Sequence, residues 1–376
     1  MYFLNGDRIY LKPTDGNASP EQQLEDCLGQ VKQINSGKKV IKLNFFVDTL
    51  SEEEYRLLQA RIEELVAHRF SNPLITGVIA QPPLTSKILV EAFYYDERLW
   101  NSRFLSCENG SAMLFTRENS EILVGQVQVN TAKSCSENSA AAFSAFGNLL
   151  DQTGLPVHTV VRQWNYLEDI LGLDNENQRY QEFNNVRSEF YGDAFKTTGY
   201  PAATGIGMNR GGIIIEFVAV RSDVVHTVPL DNPDQISAHD YSKEVLIGEA
   251  CAVKSTPKFE RARYLELFGK KLIFISGTAS IRGEKTAGVG DPELQTEITI
   301  QNIQSLYSPE MLSQINENNL QPRYGHARVY VKRREDFEII QKTFERYFGR
   351  LPVVYILADV CRDDLLVEIE GKVLLV

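Results

Sequence analysis

The sequence predicts an α+β protein of three tandem units, each a β-sheet with two helices on one face. Its 376 residues exceed what one hydrophobic core usually organises. A strand, helix, strand, strand order recurs three times along the chain. Each closing strand also carries a glutamate behind an apolar triplet: Glu91 in ILVE, Glu216 in IIIE and Glu368 in LLVE. One such glutamate would read as the solvent-facing residue of a half-buried strand, whereas three at matching places argue for duplication.

In the first unit, residues 39–48 (KVIKLNFFVD) read as a strand, and 51–70 (SEEEYRLLQARIEELVAHRF) as an amphipathic helix. Leu74 to Ala80 then reads as a second strand, and Ile88 to Tyr95 closes a hairpin. The second unit repeats this with strand 158–166, helix 176–191 and strands 202–208 and 213–220. The third does so with strand 326–332, helix 334–348 and strands 353–360 and 365–369. An earlier helix precedes each first strand, at about 20–35, 137–153 and 293–318. Ser51 with Glu54 has the capping-box spacing, and Ser19-Pro20 places an N-cap before a first-turn proline. Polar, proline-bearing stretches interrupt the pattern near 97–105 and 222–258, giving units at 1–100, 101–225 and 245–376. Gly205-Ile206-Gly207 and Gly288-Val289-Gly290 lack the spacing of nucleotide-binding loops and read as turns.

Lys and Arg number 39 against 50 Asp and Glu, a formal charge of -11 that disfavours nucleic acid and anionic lipid. A few converging arginines can still hold an anionic small molecule. No run approaches the ~20 apolar residues of a membrane span, and MYFLNGDRIYLKP is too polar for a signal peptide, so a cytoplasmic enzyme is expected. Cys27, Cys107, Cys135, Cys251 and Cys361 are scattered without a CxxC pair, and the histidines form no HxH or HExxH. Neither a disulfide framework nor a metal site is expected.

Asn148-Leu149-Leu150, Gly154 and Val160-Val161-Arg162, together with LIFISGTASI at 272–281 and QNI at 301–303, resemble the YjgF/Rid (chorismate-mutase-like) family. Its members form trimers with clefts between subunits, which implies an intramolecular pseudo-trimer here, a monomer with an internal threefold. From about residue 155 onward the chain resembles the chorismatases built on that fold. The residues concerned are Arg162-Gln163-Trp164-Asn165-Tyr166, Arg179-Tyr180, Phe183-Asn184, Arg187, Pro201-Ala202-Ala203-Thr204-Gly205, Phe259-Glu260-Arg261-Ala262, SGTASI at 276–281, Cys361 and Glu368. Rid-type imine deaminases carry an arginine just after the proline of the penultimate strand. Here Val353-Val354 follow Pro352 and Ala202-Ala203 follow Pro201, so the anchor of that activity is missing.

The resemblance implies cleavage of chorismate, a dianion with an enolpyruvyl ether, to 3-hydroxybenzoate and pyruvate without a cofactor. Such a vinyl ether is cleaved by protonating its terminal methylene carbon, and a carboxyl in a dry pocket can hold the proton at neutral pH. Glu368 matches the family's acid, with Glu370 as the less favoured alternate. Arg162, Arg179 and Arg187 are the expected partners of the carboxylates, since a guanidinium fork matches that group. Tyr166, Tyr180 and Thr204 are expected to offer hydroxyls. Cys361 matches the position that separates product types, cysteine resembling the 3-hydroxybenzoate formers and alanine the hydrolases that stop at a dihydroxycyclohexadiene acid. That hydrolysis, a Rid-like imine hydrolase and a non-catalytic ligand-binding protein are the alternatives.

Overall fold

The computed structural model describes Leu4 and residues 6–34, 37–174, 176–242 and 255–376. The expected start of the third unit, at 245, and Cys251 lie outside the described residues. The first unit runs β1 (Arg8–Leu11), α1 (Pro20–Gln33), β2 (Lys39–Val47), α2 (Glu52–Arg69), β3 (Ile75–Ile79) and β4 (Ile88–Tyr95). Next come β5 (Asn101–Cys107), β6 (Gly110–Arg117), β7 (Ser120–Val129), α3 (Cys135–Asp151) and β8 (Val160–Glu168). A two-residue ladder, β9 (Leu173–Asp174) with β10 (Asn177–Gln178), leads into α4 (Arg179–Tyr191), β11 (Ala202–Met208) and β12 (Ile213–Ser222). The remainder comprises β13 (His226–Leu230), β14 (Ala262–Leu267), β15 (Lys270–Ala279), the short pair β16 (Ile281–Arg282) and β17 (Lys285–Thr286), α5 (Pro292–Ser305) and α6 (Pro309–Gln314). It ends with β18 (Pro322–Val331), α7 (Phe337–Phe348), β19 (Val353–Leu357) and β20 (Val367–Leu375).

Besides the two short two-stranded pairs, the described residues form three larger sheets with one strand order repeated: β1-β4-β2-β3, then β7-β12-β8-β11, then β15-β20-β18-β19. In each the second and third strands of the repeat are parallel and the closing strand lies antiparallel between the first and second. The expected hairpin at Ile88–Tyr95 is therefore corrected. β3 and β4 do not pair, because a strand following a helical crossover sits parallel to its predecessor at the sheet edge, leaving the slot beside β2 to β4. Hairpins β5-β6-β7 and β13-β14-β15 extend the second and third sheets to six strands each.

Alternation of side chains gives each sheet two apolar faces. One face carries its helices: Leu24, Leu28, Ile62 and Leu65 cover the first sheet, Phe143, Phe146 and Phe183 the second, Ile300, Ile303, Ile340 and Phe344 the third. The other faces meet one another in a shared core containing Phe46, Phe93, Trp164, Tyr166, Ile214, Leu272, Tyr330 and Ile356. That shared core arranges the units as an internal pseudo-trimer. The helix expected at 293–318 is two helices, because Ser308 caps a new start with Pro309 in its first turn. Ser19 forms the full reciprocal capping box with Gln22; Ser51 caps Glu54, but Glu54 reaches the Leu50 backbone instead. Gly205 and Gly207 lie inside β11 and are no turn: a Cβ there would stand 2.9 Å from the Tyr180 ring at Gly205 and 2.8 Å from the Asp359 carbonyl at Gly207.

Candidate active site

The second and third sheets join where β11 of one meets β15 of the other. Ala202 bridges Glu260 in parallel fashion, and the Ser276 hydroxyl accepts from the Ala203 amide at 2.9 Å and donates to the Glu260 carbonyl at 2.6 Å. At this seam β15 bulges against β20: Ile275 faces Gly371 and Thr278 faces Ile369, so Ser276 and Gly277 share the place opposite Glu370.

A cleft of about 750 Å³ opens at the seam. Residues 178–184 at the start of α4 supply Gln178, Tyr180, Gln181 and Asn184, and β11 supplies Ala203 and Gly205. The third unit supplies Phe259, Arg261, Gly277, Cys361, Arg362, Leu365 and Glu368. A small ligand here meets mostly apolar wall with a few polar groups of both charges, the usual make-up of a binding pocket.

Glu368 projects from the middle of the third sheet on its inner face, since Val367 and Ile369 take the helix side. It is 4% exposed, and among the described residues no hydrogen bond or ion pair reaches its carboxyl. Burial raises its pKa to about 8, the Glu370 carboxylate adding to the effect and Arg162 and Arg261 opposing it. It therefore carries a proton at neutral pH. The fit is close, because a Cβ on Gly277 would sit 2.0 Å from Glu368 Oε1.

Cys361 lines the same cleft, and burial, helped by Glu368, pushes its thiol up to about 12. It is thus neutral, a small soft wall and no thiolate nucleophile. Tyr180 is half-buried in the wall, and desolvation raises its hydroxyl pKa, so it stays protonated. Arg261 donates from Nη2 to the Ile236 carbonyl at 2.8 Å and Tyr241 Oη at 2.6 Å, while its buried Nε has no partner among the described residues. Arg362 donates to the Glu284 carbonyl at 2.7 Å and packs 5.4 Å from the Tyr241 ring centroid.

The other residues singled out in the sequence lie off the cleft lining. Arg162 is fully buried, with its guanidinium held by Glu370 and by Thr204 Oγ1 at 2.6 Å, so neither Arg162 nor Thr204 faces the cleft. Tyr166 sits in the shared core bonded to Arg328. Arg179 pairs with Asp174 at 3.4 Å across the α4 start, and Arg187, buried, donates to Asn184 Oδ1 at 2.5 Å. Glu370 is held in the core by Arg162 and Trp164 Nε1, the latter at 2.6 Å. The cleft's own arginines, 261 and 362, were absent from the sequence-derived site. Arg261 was visible within Phe259-Glu260-Arg261-Ala262, but its irregular segment gave no face to argue from; Arg362, next to Cys361, carried only that adjacency as a signal.

Residues 99–219 match the family model described as chorismatase FkbO/Hyg5-like, N-terminal. A 3-hydroxybenzoate synthase of Streptomyces hygroscopicus is 33% identical over 247 residues, 63% of this chain and 69% of that protein. A chorismatase of Streptomyces rapamycinicus is 31% identical over 267 residues, 67% of this chain and 75% of its own length. A chorismatase crystal structure superposes with a TM-score of 0.73 over 98% of each chain at 22% identity, so the fold extends to the N-terminal unit.

Proposed function

The chain belongs to the chorismatase family, and we propose that it converts chorismate to 3-hydroxybenzoate and pyruvate in the cleft between its second and third sheets. The observation that carries this is a buried carboxyl, Glu368, that no ion pair reaches among the described residues and that faces the same cleft as Arg261 and Arg362, burial pushing its pKa up to about 8. Glu368 gives its proton to the methylene carbon of the enolpyruvyl group, and an oxocarbenium centre forms at the ether carbon. The adjacent ring hydroxyl loses its proton and attacks that centre to close a cyclic ketal. Loss of the proton on the ether-bearing ring carbon breaks the neighbouring ring carbon–oxygen bond and aromatises the ring. The hemiketal left on the other oxygen collapses to release pyruvate, and the two protons given up restore Glu368 and the phenol hydroxyl. Chorismate contains all the atoms of both products, so the reaction consumes neither water nor a redox agent overall.

Arg261 and Arg362 hold the substrate carboxylates, a role in which buried charge-assisted hydrogen bonds are strong. Tyr180 and Asn184 contact the ring hydroxyl side, and Arg187 acts on the site only through Asn184. Arg162 and Thr204 stand behind Glu368 and touch no substrate, and Tyr166 and Arg179 serve the scaffold. Cys361 keeps bulk water from the oxocarbenium centre, which favours the internal hydroxyl over hydrolysis to the diol. The enzyme works as a cytoplasmic monomer on this one anionic substrate; no helix among the described residues is long and apolar enough to cross a membrane. A Rid-like imine hydrolysis is disfavoured because β11, the strand lining the cleft, opens with Ala202-Ala203 after Pro201 and so brings no arginine.

Incubating the protein with chorismate and separating the products by chromatography tests the reading. Equal amounts of pyruvate and 3-hydroxybenzoate are expected. Unconsumed chorismate contradicts the activity, and a diene diol in place of the aromatic acid contradicts the product assignment.

A further inference from the structure

The internal threefold sets up a comparison among buried ion pairs. Lys42 on β2, Arg162 on β8 and Arg328 on β18 occupy one repeat position, since each faces the residue two after the closing-strand glutamate of its own unit: Phe93, Val218 and Glu370. Each of the first two complete pairings runs between units. Lys42 of the first reaches Glu216 of the second at 2.7 Å, and Arg328 of the third reaches Glu91 of the first. Carried round the threefold once more, the rule pairs Arg162 of the second unit with Glu368 of the third. It does not. Arg162 pairs with Glu370, the carboxylate standing where the other units carry Phe93 and Val218.

We propose that Glu370 is a positioning residue that intercepts Arg162 and so leaves Glu368 without the cation its symmetry mates possess. This rests on the reading of Glu368 as the proton donor. The contrast between mates supports it. Glu91, pushed up by burial but pulled down harder by Arg328 and Arg8, has its pKa lowered to about 2, whereas Glu368 is raised to about 8. Two carboxyl groups at the same repeat position thus take opposite parts, Glu91 anionic and tied, Glu368 protonated and free to react. Glu370 accepts from Trp164 Nε1 at 2.6 Å as well as from Arg162, both on β8 of the second sheet, and lies 3.4 Å from Arg328 on the neighbouring β18, so its place is fixed from two units. The groups facing Glu368 are Glu370 on its own strand, Arg162 on β8, Tyr330 on β18, Tyr180 on α4, and Arg261 and Cys361 from the loops of the third unit. Among these only Arg162 has an equivalent in both other units that pairs with a closing-strand glutamate.

Glu370→Gln removes the charge and keeps the shape and the acceptor for Trp164. Arg162 then turns to Glu368, and the acid loses its proton at lower pH. In kcat against pH, the wild-type enzyme is expected to lose activity through its basic limb near pH 8. In Glu370→Gln that limb moves down by about one unit or more, roughly a tenfold loss above the new pKa, with the gap closing toward acid pH. Glu370→Asp is expected to restore part of the profile. A uniform loss at every pH, or an unmoved limb in a folded variant, overturns the proposal. Carbon-13 carboxyl NMR separates this from the activity itself. The resonance missing in Glu368→Gln must titrate at lower pH in Glu370→Gln than in wild type, whether or not chorismate is turned over. If that resonance does not move, the interception is wrong even in an active enzyme; if it moves in a protein inert toward chorismate, the interception stands and the activity falls.

Discussion

Replacing Gly277 by alanine probes the site through its geometry alone. The added Cβ would stand 2.0 Å from Glu368 Oε1 and 2.9 Å from its carboxyl carbon, with Thr204 Cγ2 at 3.1 Å on another side. Clearing even the shortest tolerable contact, 3.0 Å, requires the carboxyl to retreat by about 1 Å, the difference 3.0 − 2.0. The obstacle is the end of a flexible side chain and the glycine lies in an existing bulge, so the sheet itself need not move. A displacement of about 1 Å at a reacting group can cost on the order of 100-fold in rate. Gly277→Ala is therefore expected to lower kcat for chorismate by about that factor while lowering the free energy of urea unfolding by no more than about 1 kcal/mol. Spectrophotometric turnover and equilibrium denaturation measure the two. A variant that keeps kcat within threefold, or that loses activity only because it unfolds, would refute the reasoning.

Other perturbations bear on separate parts of the site. Cys361→Ala enlarges the cleft beside Glu368 and is expected to divert product from 3-hydroxybenzoate toward the diene diol, read by chromatography; an unchanged ratio removes its role in product choice. Arg261→Gln should raise KM about 10- to 100-fold, the value of one charged hydrogen bond, with a smaller change in kcat; an unaltered KM would place the carboxylates elsewhere. Glu91, with its pKa lowered to about 2 in the fold, contributes stability that is present above the ordinary carboxylate range and lost as pH falls toward 2. Glu91→Gln should thus flatten the fall of unfolding free energy between about pH 4.5 and 2 relative to wild type; parallel curves would show that the Arg328 pair carries no such linkage.

The repeat was legible because burial imposes period on sequence: ILVE, IIIE and LLVE mark the same slot in three sheets, and the helices between strands show clear apolar faces. The hairpin at 101–129 was legible too and was missed. Asn109-Gly110 and Glu118-Asn119 punctuate three alternating runs, and Asn109 and Glu118 both adopt positive φ. Arginine roles were harder. Spacing tells which face of an element a residue shares, but Arg162 and Glu370 are 208 residues apart and meet only when two units close on each other. The difference that frees Glu368 was written in the sequence as EAF, EFV and EIE, yet it acquires meaning only once the pairing of Lys42 with Glu216 and Arg328 with Glu91 is seen.

Replacement of Glu368 by glutamine addresses the proton donor itself. The amide fills the same space and cannot protonate carbon, so chorismate turnover is expected to fall by about 10²- to 10⁴-fold, the usual share of a general acid. Calorimetric titration with 3-hydroxybenzoate should still give an affinity within a few fold of wild type. Turnover within tenfold of the unaltered enzyme would contradict the assignment of this carboxyl as the acid.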